Sequence, residues 1–347
     1  MIAAADLVTC RATLQTGSRS FALASLFLPA RVRAPATALY AFCRAADDAI
    51  DLSEDQAEAL DTLRDRLDAI YGGSPGDAVD RAFAAVVADF GLPRALPEAL
   101  LDGFAWDVEA RRYEDLPALT GYAMRVAGTV GVMMALLMGT RDAGMLSAAC
   151  DLGCAMQLTN IARDVGEDAR AGRLYLPLSW LRAEGIDPAV WLTEPRFTPG
   201  IGRIVARLLA EAERFYVRAE PGIARLPARC RPAIRAARLL YDGIGEAVAL
   251  AGYDSVTARA VVPMRRKMTL LSRCFFGRQD ALLPPQAASE FLVGAVWPGP
   301  ASPRARPPWQ QVDDKIGWVV ELFARLNELD RVNGSSEPSA VDHAAEA

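Results

Sequence analysis

Two groups of acidic residues carry the spacing that chemistry needs. The first is Asp47, Asp48 and Asp51, in the run LYAFCRAADDAID at 39–51. At about 100° per residue on a helix, Asp47 and Asp51 lie roughly 40° apart, on one face. Arg44 and Tyr40 fall on the same side, while Leu39, Ala46 and Ile50 point elsewhere. The second group sits in QLTNIARDVGED, 117 positions further on. There Gln157, Asn160, Asp164 and Asp168 form a stripe about 80° wide over three turns, bordered by the core-like Leu152, Met156, Leu158, Ile161 and Val165. Like charges one turn apart repel by about a few tenths of a kcal/mol, so each row needs cations beside it. Arg163 and Arg173 are near the second row in sequence. Oxygen-only donors suit a hard cation such as Mg²⁺, which keeps waters and shares carboxylates with substrate phosphates. A single D-x-x-x-D is more often a solvated helix face. Two of them, one extended by Gln157 and Asn160 in phase, favour a site.

The elements that must hold these rows read as helices throughout, which predicts an all-α fold. Pro29 and Pro35 are expected to bracket a turn before a helix over 36–51. A helix over 55–71 should stop at Gly72-Gly73. Further helices are expected over 78–90, 97–111, 116–138, 142–168, 199–219, 231–251 and 255–273. No strand-like alternation with hairpin turns appears. The apolar stretch Val126 to Met138 reads as an interior helix whose glycines and alanines leave room for a cavity. By itself it is too short to span a bilayer. Residues 1–297 are expected to form one helical domain, followed by a Pro-rich linker at 298–310, an amphipathic tail helix at 311–330 and a disordered tail at 331–347.

Composition narrows the chemistry. The only histidine of 347 residues, His343, lies in the polar tail, so imidazole catalysis and His-ligated metal sites are excluded. Six scattered cysteines lack zinc spacing and read as small core residues in a reduced, cytoplasmic compartment. The net charge of −5, from 38 basic and 43 acidic residues, gives no nucleic-acid footprint. The first eleven residues carry Asp6 and do not read as a secretory signal.

The sequence resembles the squalene/phytoene synthase family, most closely its bacterial phytoene-forming branch. The resemblance runs from about Gly17 to Arg273 and rests on GSRSFALASLFLP (17–29), LYAFCRAADDAID (39–51), YAMRVAGTVG (122–131) and QLTNIARDVGEDARAGRLYLP (157–177). It implies an isoprenoid-synthase bundle of antiparallel helices around a central apolar cavity, with both aspartate rows at its mouth. It also implies head-to-head condensation of two geranylgeranyl diphosphates, with Mg²⁺ (or Mn²⁺) and without NADPH. Carried over, Asp47, Asp48, Asp51, Asn160, Asp164 and Asp168 are the implied metal ligands. Ser20, Arg44, Gln157 and Arg163 are the implied substrate contacts, with Tyr253 and Arg265 a looser match. Tyr40, Tyr122 and Tyr175 are the implied cavity tyrosines. The final base is either a tyrosine or the released diphosphate. Apolar substrates point to the inner face of the cell membrane and to other carotenoid-pathway enzymes as neighbours. The competing readings are a squalene or dehydrosqualene synthase using farnesyl diphosphate, a non-catalytic assembly factor, and a di-iron helical oxidase. Intact aspartate rows argue against the assembly factor, and the lack of E-x-x-H motifs argues against the oxidase.

Overall fold

The computed structural model describes residues 1–275, 282–284 and 286–296. The linker, tail helix and terminal tail expected beyond residue 297 lie outside the described residues. Within them the chain is helical, without strands. The helices are α1 (Ala4–Gly17), α2 (Arg19–Ser25), α3 (Ala30–Asp51), α4 (Gln56–Gly72), α5 (Ala78–Phe90), α6 (Ala95–Val108), α7 (Leu116–Ala123), α8 (Thr129–Leu137) and α9 (Ala143–Arg170). They continue with α10 (Leu178–Ala183), α11 (Pro188–Thr193), α12 (Pro199–Arg225), α13 (Arg231–Leu250), α14 (Met264–Leu271) and α15 (Glu290–Val296).

Local chemistry sets most boundaries. Asp55, Asp77, Asp115, Asp142, Asp187 and Thr198 each accept backbone N–H bonds at a helix start, a contribution of about 1 kcal/mol apiece. Gly73 and Gly91 end α4 and α5 with φ of 83° and 58°, a conformation that glycine adopts without a Cβ penalty.

Two expectations fail, each for a physical reason. The turn expected between Pro29 and Pro35 is helix, because α3 starts at Ala30 and carries Pro35 inside it. The bond that Pro35 cannot donate is offset nearby. Arg33 donates to the Leu26 and Leu28 carbonyls at 2.7 and 2.8 Å, and Val32 and Ala36 are buried. The helix expected over 255–273 is confined to Met264–Leu271. Residues 253–259 instead form an irregular strap over α9: the Ser255 carbonyl accepts from Gly166 N–H and the Val256 carbonyl from Arg170. The helix expected over 116–138 is present as α7, a π-helical turn at Met124–Gly128 and α8, one run, Leu116–Leu137, which by length and composition alone could cross a membrane. Here the run packs inside, with Leu119, Met124, Val132 and Met133 buried. The helices α1, α2, α10, α11 and α15 were not anticipated. Expected spans of 97–111 and 199–219 become Ala95–Val108 and Pro199–Arg225.

The organising element is α9, which packs along α12 and against α8 and α13. It touches the π turn and α8 backbone to backbone. A Cβ on Gly153 would lie 2.2 Å from the Ala127 carbonyl oxygen, and one on Gly131 would lie 2.2 Å from that of Ala149. No side chain fits there, so the two glycines fix the helix separation.

Candidate active site

A cavity of about 300 Å³ runs between α2, α3, α8, α9, α12 and α13. Its walls are largely apolar, including Phe21, Leu39, Val126, Met134, Leu152 and Ile223. Ala127, Gly131 and Ala135 of the glycine-rich stretch line it, although the missing Cβ of Gly131 serves the close contact with α9 and not the cavity. Its polar groups include Tyr40, Gln157, Asn160 and Tyr241. Gln157 and Asn160 begin the second oxygen row, so that row starts on the cavity wall.

The first row ends α3. Arg44, one turn back, donates to Asp47 at 3.2 Å and to Asp48 at 3.1 Å. Asp51 is taken by Arg173 at 2.5 Å, from the turn that follows α9. The same Arg173 donates its backbone N–H to the Asp168 carbonyl at 2.8 Å. One residue therefore spans from the end of the second row to the first. In the second row Asp164 is held by Arg163 at 2.5 Å and by Arg259 at 2.8 Å. Arg259 also reaches Glu167 at 3.4 Å. Gly166 makes this possible. A Cβ there would sit 2.2 Å from the Val256 carbonyl oxygen, so only glycine lets the strap lie close enough to deliver Arg259.

Burial, followed by the charge of Asp51, lifts Asp47 to about 6 despite Arg44. Burial and then Asp164 lift Asp168 to about 7. Arg173 is held above its ordinary value: burial opposes its charge, but Tyr175, Asp51 and Asp107 outweigh it. Among the described residues no three carboxylate, cysteine or histidine side chains converge on one point fit for a metal ion. The carboxylates pair with arginines instead: Asp47 and Asp48 with Arg44, Asp51 with Arg173, and Asp164 with Arg163 and Arg259. The donor set still suits a hard dication. It is all oxygen, Asn160 Oδ1 is buried with no hydrogen-bond partner, and burial together with a neighbouring carboxylate raises Asp47 and Asp168. A dication would relieve both strains.

Several expected residues stand elsewhere. Tyr40 lines the cavity, but Tyr122 and Tyr175 do not. Their hydroxyls donate to Asp107 of α6, at 2.8 and 2.7 Å. The second tyrosine on the cavity wall is Tyr241, which spacing did not single out. Ser20 is half-buried on α2 and off the cavity lining. Tyr253 occupies a turn with φ of 61°, and Arg265 is exposed on α14. Neither belongs to the cavity, and the strap's cation at the second row is Arg259. Asp107 was also missed. A lone Asp in FAWDVEARR has no spacing signal. Burial raises it to about 6, although both tyrosines bond to it.

The same regions carry the similarity to known proteins. The squalene/phytoene synthase family model matches residues 14–266. Phytoene synthase of Cereibacter sphaeroides is 48% identical over 95% of this chain and 97% of that protein. That of Rhodobacter capsulatus is 55% identical over 78% of this chain and 81% of that protein. Among solved structures, a dehydrosqualene synthase superposes with a TM-score of 0.71 at 33% identity, covering 78% of this chain and 95% of that one. A squalene synthase from Alicyclobacillus acidocaldarius gives 0.66 at 25% identity, covering 72% and 95%. With both oxygen rows and the cavity walls inside the matched span, the chain belongs to the squalene/phytoene synthase family and has its all-helical isoprenoid-synthase fold.

Proposed function

We propose that this chain is a prenyltransferase that joins two geranylgeranyl diphosphates head to head, giving phytoene and two diphosphates by way of a cyclopropyl diphosphate. One observation carries the reading: two carboxylate rows, bridged by Arg173, stand beside an apolar cavity whose wall begins the second row. Relatives named phytoene synthase, similar over most of their length, support this substrate choice.

Each part of the site has work in that reaction. Breaking an allylic C–O bond leaves negative charge on diphosphate, which Arg44, Arg163, Arg173 and Arg259 are placed to stabilise. Mg²⁺, or Mn²⁺ in its place, held by Asp47, Asp48, Asp51, Asn160, Asp164 and Asp168, would supply Lewis-acid stabilisation of the same charge. The apolar walls keep water from the allylic cation. The ring faces of Tyr40 and Tyr241 offer it electrostatic support. Burial lifts the Tyr40 hydroxyl to about 12, so that ring stays neutral at physiological pH. No hydride is consumed, so NADPH has no role. The proposal includes a cytoplasmic protein at the inner membrane face, where apolar substrate and product can exchange, beside other enzymes of carotenoid synthesis.

Incubation with geranylgeranyl or farnesyl diphosphate, with Mg²⁺ and with or without NADPH, tests the reading by product chromatography. A C40 hydrocarbon formed without NADPH is expected. The likeness to a dehydrosqualene synthase supports a second reading, in which farnesyl diphosphate gives the main product. Activity indifferent to lipid or detergent would count against the membrane placement.

A further inference from the structure

Beside the carboxylate rows lies a half-buried polar group that the proposed reaction does not use. Asp107, near the end of α6, accepts one tyrosine hydroxyl on each oxygen: Tyr175 on Oδ1 at 2.7 Å and Tyr122 on Oδ2 at 2.8 Å. The two hydroxyls are 3.4 Å apart, and the two rings stack at 5.2 Å. Tyr113 completes a three-ring cluster, 5.4 Å from Tyr122 and 6.2 Å from Tyr175. Tyr122 belongs to α7, and Tyr175 to the turn after α9. A single carboxylate thus ties together three separate pieces of chain.

The turn it holds is the one that carries Arg173. Gly172 takes a φ of 78°, reversing the chain after α9. Arg173 follows with its backbone on Asp168 and its guanidinium on Asp51. Tyr175 comes two residues later, anchored on Asp107. In an apolar setting, a carboxylate with both oxygens satisfied is a stiff anchor, and removing it would leave two tyrosine hydroxyls without their acceptor. Leu174 and Leu176 are buried on either side of Tyr175, so the Asp107 bond is the polar part of a packed anchor, and the aim of the Arg173 side chain across the gap between the rows depends on where that turn sits.

We infer that Asp107 is a positioning residue: through Tyr175 it fixes the 172–176 turn so that Arg173 spans the two carboxylate rows and sets their separation. The inference rests on the proposed function for its purpose. Its geometry is independent of which prenyl diphosphate is used. A reaction clamp that is displaced by about 1 Å loses on the order of 100-fold in rate, and loss of an outer support of a metal site costs about 10- to 100-fold in affinity.

The test is a double-mutant cycle read by binding rather than turnover. Mn²⁺ is titrated by electron paramagnetic resonance into the full chain in the presence of inorganic diphosphate. Asp107→Ala and Arg173→Gln are each expected to weaken Mn²⁺ binding about tenfold. The double variant is expected to bind no more weakly than Arg173→Gln alone, because Asp107 acts through Arg173. Asp107→Asn keeps the shape and one acceptor, and should stay within about fivefold of wild type. Should Asp107→Ala fail to fold by circular dichroism, Tyr175→Phe removes only the hydroxyl and should weaken binding in the wild-type but not the Arg173→Gln background. Wild-type affinity in Asp107→Ala or Tyr175→Phe, additive losses in the cycle, or Asp107→Asn as weak as Asp107→Ala would overturn the inference. A wild-type chain that binds Mn²⁺ and diphosphate yet forms no hydrocarbon would overturn the proposed function and leave this cycle standing. A wild-type chain that binds neither would overturn both.

Discussion

In the first carboxylate row most of the balancing charge is local: Arg44, one turn back on the same helix, serves Asp47 and Asp48, and Asp51 alone takes a distant cation. In the second row it comes from afar as well as nearby. Arg163 adjoins Asp164 in sequence, whereas Arg259 arrives from 95 residues away on an irregular strap. Arg173 then links the end of the second row to Asp51, 122 residues distant. The Arg44 pairs, made within one helix, keep their geometry wherever that helix goes. A row balanced by a strap depends on the packing that holds the strap, here the absence of a side chain at Gly166. The second row is therefore the more dependent on tertiary packing: two arginines pair with Asp164, while burial and then Asp164 lift Asp168 to about 7.

The strongest way to break this contrast is to remove a carboxylate. Asp47→Ala and Asp164→Ala should each cost about 10²- to 10³-fold in turnover, with helical content near wild type by circular dichroism. Near-normal product formation at saturating Mg²⁺ in either variant would show that the row does not hold the ion. Gly166→Ala comes next. The added methyl meets backbone, not a flexible side chain, so the strap must shift. A stability loss of about 1–3 kcal/mol by denaturant titration should accompany a fall in turnover approaching 100-fold. A variant with wild-type values would mean that the strap approaches less closely than described.

Smaller effects sharpen the comparison. Arg259→Gln should raise the half-saturating diphosphate concentration by about tenfold, one lost charge-assisted contact, while Arg265→Gln should leave it unchanged. Equal effects from the two would contradict the placement of Arg259 at Asp164. The smallest effect is on pH dependence. Asp47 and Asp168 have folded values of about 6 and about 7, above the ordinary 3.8. Between those limits the folded chain binds more protons than the unfolded one, so stability falls as pH rises from about 4 to about 7. Melting scans without divalent ion should show that slope, and Mg²⁺ should flatten it by stabilising the ionised carboxylates. A melting temperature that rises over this range would reverse the assignment.

Much of the site was legible because helical phase makes it so. Spacing alone put Asp47 with Asp51 and aligned Gln157, Asn160, Asp164 and Asp168, since residues one turn apart must share a face. The capped starts of α4, α5 and α9 were readable for the same local reason. What spacing missed was non-local. Tyr122 and Tyr175 matched cavity positions, yet their hydroxyls turn to Asp107, which nothing in FAWDVEARR marks. Arg265 was a loose match to a substrate contact and stands on α14, while residues 253–259 do not continue a helix. Ser255 and Val256 bond to α9 instead, and so Arg259 is the residue delivered.

By itself, the sequence determined the helical class, the two oxygen rows, the oxygen-based chemistry forced by a near absence of histidine, and the family resemblance. All of these follow from residue types and periodicities that act within a few turns. Only the tertiary structure decided which arginine meets which carboxylate, which tyrosines face the cavity and how closely the strap lies on α9. Those outcomes depend on contacts between residues tens to more than a hundred positions apart, where a missing Cβ or a half-buried acceptor fixes what no local pattern encodes.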